Sequence, residues 1–161
     1  MKLDFLYSIC EYPRLGKNRG QLMADGIDLL REACGDKLIL GCGVPLGSCM
    51  GIFDACRIGP DANKNYTGDI LNKLALTREI PSSRYAMVNT IFRRCLDGRA
   101  FANDPDVFFL RDDNIEYSTT QKLLLAKVND IMGSIIFMSD NAATYDKKAA
   151  EYLKYFFAEK D

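Results

Sequence analysis

The chain has 161 residues, 48% of them hydrophobic, and a formal net charge of −1. This composition is typical of a globular chain that buries a sizeable core. Basic residues such as Arg93, Arg94 and Lys122 stand among acidic ones, which argues against a polyanion partner. The longest apolar stretches, Lys37–Gly43 and Gly133–Met138, are far shorter than the roughly 20 residues of a membrane span, and the first residues lack the features of a signal peptide. We therefore predict a soluble, cytoplasmic protein with neither a nucleic acid nor a membrane as partner.

The six cysteines are predicted to be free thiols, because a chain of this length and apolar content folds without disulfides. Cys42, Cys49 and Cys56 recur every seven residues, but the sequence has no histidine and no Cys-x-x-Cys pair. The pattern therefore does not indicate a zinc site. We expect no metal and no cofactor.

Short apolar runs alternate with amphipathic segments through the first half of the chain. Leu3–Ile9 is predicted as a strand and Arg19–Cys34 as a helix. Gly35 follows the helix, where a helix end favours a residue with positive φ. Lys37–Cys42 and Ile52–Ile58 are predicted as two further buried strands. The apolar face of the helix comprises Leu22, Met23, Ile27, Leu30 and Ala33.

The second half continues the alternation after the stretch 63–81, where Ile70, Leu71, Leu74 and Leu76 indicate a short helix. A clearer helix is predicted to begin at Pro81-Ser82, to run through Leu96 and to stop at Gly98. A strand is predicted at Val107–Leu110, preceded by Phe101, and another at Ser134–Met138. Between them, a helix follows the Ser118/Gln121 capping box, carries Leu124, Val128 and Ile131, and ends at Gly133. The last predicted element is a helix at Lys147–Ala158 with Leu153, Phe156 and Phe157 inward.

Five predicted strands between helices indicate an α/β fold with a parallel sheet, either open and doubly wound or closed as a barrel. Each strand run has a polar or glycine-rich exit. Polar groups gathered at the carboxyl ends of parallel strands are the arrangement of a (β/α)₈ active face, and they favour the barrel. The exits comprise Asp4, Cys42-Gly43, Arg57 to Asp61, Asn103 to Asp106 and Ser139-Asp140.

Two aspartates are the candidate reacting groups. Asp4 stands in an apolar strand, where a carboxylate is costly to bury without a partner, and Lys2 projects from the same face. Asp61 follows a Gly-Pro bend, where Arg57 can hold a carboxylate or a sugar hydroxyl. Alone, Asp4 is equally consistent with a frayed terminal strand, and Asp61 with a turn. Together they match the two carboxylates of a retaining glycosidase, whereas the absence of histidine excludes Ser-His-Asp and Cys-His chemistry within this chain.

The glycine-rich loop Gly41–Gly47 follows a predicted strand, as a dinucleotide-binding fingerprint does. Its third glycine is one position late, and Pro45 interrupts the turn into a helix. No acidic residue follows at the end of a second strand about 20 residues on. A nucleotide-binding open-sheet domain is therefore the weaker alternative.

Five motifs in order resemble the α-galactosidases (melibiases) of glycoside hydrolase family 36, and the resemblance spans nearly the whole chain. These motifs are Lys2-Leu3-Asp4-Phe5, Leu40-Gly41-Cys42-Gly43, Arg57-Ile58-Gly59-Pro60-Asp61, Arg99-Ala100-Phe101-Ala102-Asn103-Asp104-Pro105-Asp106 and Ser139-Asp140.

The resemblance implies a role for each of these polar residues. Asp4 would be the nucleophile on barrel strand 4, and Asp61 would be the general acid/base after strand 6. Lys2, Cys42 and Arg57 would bind the sugar. The residues implied to support the site are Asn103, Asp104, Asp106 and Asp140.

The chain departs from the family in two respects. Phe101 stands where the family usually has tryptophan, and no segment corresponds to barrel strands 1 to 3 or to the N-terminal β-domain. Since a barrel takes about 250 residues, the resemblance implies one partial domain, 1–161, a half barrel of about five parallel strands equivalent to strands 4 to 8. Its open strand edges predict either self-association or pairing with a separate N-terminal half. A non-catalytic half barrel that folds by oligomerising is therefore an alternative to a truncated hydrolase.

Overall fold

The computed structural model describes residues 1–68, 74 and 81–158. The fold is α/β, as predicted, with short parallel strands and longer helices. The elements are β1 (Lys2–Leu3), α1 (Arg19–Cys34), β2 (Leu40–Gly41), β3 (Ala55–Arg57), α2 (Ser83–Arg93), β4 (Ala102–Asp104), β5 (Val107–Phe108), α3 (Thr119–Met132), β6 (Phe137–Met138) and α4 (Lys147–Phe157), with 3₁₀ turns at Leu6–Cys10, Leu46–Ser48, Arg94–Leu96 and Ala142–Thr144.

The strands form one four-stranded sheet in the order β1-β2-β3-β4 and a separate pair, β5-β6. All pairs are parallel, with Lys2 opposite Leu40 and Arg57 opposite Asp104 at the two sides of the larger sheet. Within each of the two sheets, every described strand pairs with its neighbour in the chain, and β4 and β5 are the one consecutive pair that does not. A doubly wound sheet would instead reverse its order at a switch point. The observed order is that of consecutive units of a (β/α)₈ barrel.

The predicted single sheet of five strands is not what the structure contains. The segment expected to supply one strand provides two short ones, β4 and β5, and the sheet is interrupted between them. Pro105 has no N–H to donate to a ladder, and Asp106 adopts a positive φ of 77°. The chain therefore turns between β4, which pairs with β3, and β5, which pairs with β6.

The helix boundaries agree closely with the sequence pattern where a capping residue is present. Helix α1 spans the predicted range, and Asn18 and Gln21 form its capping box. Ser118 caps α3 with Gln121, as predicted. The predicted strand Leu3–Ile9 is wrong beyond Leu3, because Phe5 takes a left-handed conformation and Leu6–Cys10 forms a 3₁₀ turn. The helix suggested within 63–81 falls mostly outside the described residues.

One helix, α3, buries a different face from the predicted one. In α3 the buried side chains are Lys122, Leu125, Ala126 and Asn129, whereas Leu124 is 46% and Ile131 is 61% exposed. In α4, Phe156 is buried and Leu153 packs against the core, as predicted, whereas Phe157 is 53% exposed. Helix α3 contacts α2, β5 and α4, so its inward direction is set by three neighbours.

The core consists of two clusters. The first packs α1 against β2 and β3 and includes Ile27, Ile39, Phe53 and Ile58. The second surrounds β5, α3 and α4, with the rings of Phe108 and Phe156 centred 5.5 Å apart. Within the described residues, no helix combines the length and apolar character needed to cross a membrane.

Candidate functional site

A cleft of about 180 Å³ lies at the carboxyl ends of β1, β2 and β3. Four of the predicted site residues contribute to its wall: Asp4, Cys42, Arg57 and Asp61. They come together because the carboxyl ends of neighbouring parallel strands meet at one edge of the sheet.

Asp4 lies at the exposed side of this cleft. The Phe5 amide N–H donates to Asp4 Oδ1 at 2.7 Å, and the left-handed conformation of Phe5 accompanies this turn. Partial burial raises the pKa of the Asp4 carboxyl, but the hydrogen bonds from the Cys42 thiol and the Phe5 amide, with the charges of Lys2 and Arg57, outweigh it. The net pKa is lowered, so Asp4 is ionised at neutral pH.

Cys42 shares this corner of the cleft with Asp4. Burial and the hydrogen bond to the Asp4 carboxylate raise the pKa of the Cys42 thiol to about 11. Cys42 is therefore a neutral donor at neutral pH rather than a nucleophilic thiolate.

Arg57 is the centre of an ion-pair network on the floor of the cleft. Its side chain is 6% exposed, and its three nitrogens contact three carboxylates. Nη1 donates to Asp61 at 2.9 Å, Nε to Asp104 at 3.2 Å, and Nη2 lies 2.8 Å from Asp106. The Asp104 and Asp106 carboxylates are themselves buried, whereas that of Asp61 is 65% exposed. Through Arg57, the network therefore connects the two buried carboxylates to Asp61, the exposed candidate acid/base.

Asp106 also holds the loop that carries Asp61. Its Oδ2 accepts the backbone N–H of Ala62 at 2.7 Å, while its own N–H donates to Asp104 Oδ1 at 2.8 Å. Burial raises the pKa of the Asp106 carboxyl, although the charge of Arg57 opposes the shift. The Asp61 loop is thus attached to the Asp106 carboxylate, which also orients Arg57.

The remaining predicted site residues lie behind or away from the cleft wall. Lys2 acts on Asp4 through its charge. Asn103 is buried and its amide donates to the Arg93 carbonyl at 3.1 Å. Asp140 is buried beyond β6, where it accepts N–H groups of Leu110 and Arg111. Its contacts orient the loop after β5.

Sequence reasoning did not identify several residues of the cleft wall. Arg93 reaches the cleft from the last turn of α2 and donates to the Ile58 carbonyl. Phe5 and Tyr7 form an exposed aromatic rim, with rings 6.1 Å apart. No motif marks these residues, since α2 and the 3₁₀ turn reach the cleft only through tertiary packing. Gly59, within the Arg57–Asp61 motif, was the one local hint of this approach: a Cβ there would lie 3.1 Å from the Ala86 Cα, so the nearness of α2 favours glycine.

The loop after Gly43 lacks the geometry of a dinucleotide-binding site. After Gly43 the chain forms only a 3₁₀ turn, Leu46–Ser48, before β3. The helix N-terminus that a dinucleotide pyrophosphate needs is thus missing from this loop. Among the described residues, no group of three or more acidic, histidine or cysteine side chains is arranged to hold a metal ion.

Comparison with family models gives no match. Two solved structures of an α-galactosidase from Thermus thermophilus are similar to this chain. The complex with p-nitrophenyl α-D-galactopyranoside has a TM-score of 0.85 and 25% identity over 98% of this chain and 32% of the other. The complex with stachyose has a TM-score of 0.85 and 26% identity over 99% of this chain and 34% of the other. The chain spans about a third of the length of these structures, and it has an α-galactosidase-like glycoside hydrolase fold.

Proposed function

We propose that the chain is the C-terminal part of the catalytic barrel of a retaining α-galactosidase of glycoside hydrolase family 36. One observation carries the proposal. Asp4, Cys42, Arg57 and Asp61 line one cleft at the ends of three consecutive parallel strands, in a chain similar to an enzyme that has been solved with α-galactosides.

In the proposed reaction the Asp4 carboxylate attacks the anomeric carbon while Asp61 protonates the departing glycosidic oxygen. Asp61 then removes a proton from water, which releases the sugar from Asp4. The lowered pKa of Asp4 suits a nucleophile that must be ionised. Its position at the exposed side of the cleft leaves the carboxylate open to a substrate.

Sugar binding is assigned to Lys2, Cys42 and Arg57. The neutral thiol of Cys42 can donate to a sugar oxygen. Arg57 is held from behind by Asp104 and Asp106, and its Nη1 faces the cleft, where it contacts Asp61. A bound sugar hydroxyl can compete for this nitrogen. Asn103 and Asp140 support the surrounding loops.

We further propose that residues 1–161 are one partial barrel domain, equivalent to strands 4 to 8, and that the rest of the galactose site lies on a separate N-terminal half. The proposal places the protein in the cytoplasm, where its cysteines remain reduced. Their free state among the described residues is consistent with that compartment.

The test measures release of p-nitrophenol from p-nitrophenyl α-galactoside by the chain alone and by the chain mixed with a barrel half that supplies strands 1 to 3. We expect activity in the mixture, its loss in Asp4→Gly, and its partial rescue in that variant by azide with inverted product. Asp112→Asn is the matched control, because Asp112 is an exposed acid on another loop. No hydrolysis and no galactose-dependent NMR shifts at the cleft in either sample would refute the proposal.

A second candidate is a non-catalytic half barrel that folds by self-association. It is favoured by the chain's coverage of only about a third of the similar structures and by exposed apolar side chains in the segment between β1 and α1, including Phe5 and Leu15. Within the described residues, β1 and β6 each pair along one edge only. Light scattering distinguishes the cases: this candidate predicts a dimer or larger species, and a monomer at micromolar concentration excludes it.

A further inference from the structure

Two fully buried cysteines lie together in the first core cluster. Cys49 ends the turn after β2, and Cys56 lies in the middle of β3, immediately before Arg57. Their sulfur atoms are 3.8 Å apart across a separation of seven residues, and both side chains are 0% exposed. The proposed sugar chemistry uses neither thiol.

We propose that Cys49 and Cys56 form an oxidation site at which hydrogen peroxide produces an intramolecular disulfide, which ties the β2–β3 loop to the buried strand β3. This inference goes beyond the proposed sugar hydrolysis and does not depend on it.

Hydrogen bonds hold the backbone on both sides of the pair. The Cys49 carbonyl accepts the N–H groups of Ile52 and Phe53, each at 3.1 Å. Strand β3 is paired on both sides, with β2 and with β4. A disulfide needs a sulfur separation of about 2.05 Å, so the sulfurs must close the remaining gap by side-chain rotation and a small movement of the turn.

The immediate surroundings favour Cys49 as the attacking sulfur. The contact between the two thiols lowers the pKa of Cys49, whereas the same interaction and burial raise the pKa of Cys56. The Cys49 thiol therefore loses its proton more readily than the Cys56 thiol, and the thiolate is the nucleophile in such reactions.

The reaction balances with peroxide as the two-electron oxidant. The Cys49 sulfur attacks one peroxide oxygen, the O–O bond breaks, and the departing hydroxide takes a proton to give water. Cys49 is then a sulfenic acid. The Cys56 sulfur attacks the Cys49 sulfur, the S–O bond breaks, and the hydroxide leaves as water with the Cys56 proton. Two thiols and one peroxide give one disulfide and two waters.

The loop between the cysteines gives the oxidant a route to them. It contains Gly51, which has a positive φ of 73°, and Met50, which is 45% exposed. A local opening of this short segment admits a molecule of the size of peroxide without unfolding the sheet. Exposed Cys95 is expected to react first, and the buried pair more slowly.

The experiment treats the full chain with hydrogen peroxide well beyond the dose that completely oxidises Cys95, removes the peroxide with catalase, and alkylates the denatured protein with N-ethylmaleimide. Cleavage by trypsin and before Asp54 separates Cys56 from Cys42 and Cys49. We expect a disulfide-linked peptide pair in which Cys42 carries the maleimide, and we expect dithiothreitol to reverse the link. Cys49→Ser and Cys56→Ser should each abolish it, and Cys10→Ser, a buried cysteine outside the pair, should retain it.

The parent chain alone decides the outcome if a serine variant does not fold. Full alkylation of both Cys49 and Cys56 after the peroxide dose would overturn the proposal, as would a link from Cys56 to Cys42. Irreversible sulfinic acid at Cys49 would also overturn it, because it would show that Cys56 does not reach the sulfenic sulfur. Any of these results leaves the proposed sugar chemistry unaffected.

Discussion

Replacing Arg57 by methionine is expected to destabilise the chain more than any substitution of a surface charge. Arg57→Met keeps much of the aliphatic volume but removes the only cation among the described residues that lies within ion-pair distance of the buried carboxylates of Asp104 and Asp106. Both carboxylates then remain buried without a counterion, and the pair to exposed Asp61 is lost as well.

The magnitude follows from the burial of each partner. Breaking a buried ion pair costs about 3–5 kcal/mol, whereas an exposed pair such as that with Asp61 contributes about 0–1 kcal/mol. We therefore expect the free energy of unfolding to fall by about 3–5 kcal/mol, a large part of the roughly 5–15 kcal/mol that stabilises an ordinary domain. The loss should shrink toward pH 4, because the unpaired carboxyls then take up protons.

Urea denaturation followed by circular dichroism at 222 nm measures this change at pH 7 and pH 4. Lys17→Met is the matched control, because it removes a cation whose pair with Asp25 is exposed on both sides. We expect a loss below about 1 kcal/mol for the control. A loss of similar size in both variants, or an Arg57→Met loss that does not depend on pH, would refute the view that the buried carboxylates depend on Arg57.

Three further outcomes follow from the same structure. Burial raises the pKa of Asp106, so its contribution to stability is lost as the pH rises from the usual carboxyl range through that raised pKa. Urea titration should therefore show that the free energy of unfolding of Asp106→Asn rises relative to that of the parent between about pH 4 and pH 7. A difference between the two proteins that does not change with pH would contradict a raised pKa at Asp106. The raised pKa of Cys42, about 11, predicts that iodoacetamide at pH 8 alkylates exposed Cys95 well before Cys42, as peptide mass spectrometry would show; equal rates would be the contrary result. Gly41→Ala would place a Cβ 2.7 Å from the Phe53 ring, so thermal denaturation should show a loss of about 1–3 kcal/mol, and an unaltered midpoint would mean that the ring moves freely.

Most of the charged residues in the cleft wall could be predicted from the sequence. Asp4, Cys42, Arg57 and Asp61 were expected at strand exits, and the structure brings them to one cleft. Their roles in catalysis remain predictions. The sequence could not indicate Arg93, since nothing in α2 shows that its last turn approaches β3.

The sequence also could not show how Arg57 is held. Asp104 and Asp106 were expected to support the site, but their simultaneous contact with Arg57 depends on the break between β4 and β5 at Pro105. Asp140 was expected in the same role, yet its contacts belong to the loop after β5. Similar motifs at strand exits thus differ in function according to the sheet that each strand joins.

The amino-acid sequence by itself determined the local features of this protein: the α/β alternation, the boundaries of α1 and α3, and the polar residues at the strand ends. Capping boxes and apolar periodicity act over a few residues, so they are readable without the fold. Tertiary structure alone decided the inward face of α3, the division of the sheet, and the meeting of Cys49 with Cys56. These features depend on contacts between segments distant in the chain, where packing against several neighbours overrides local preference.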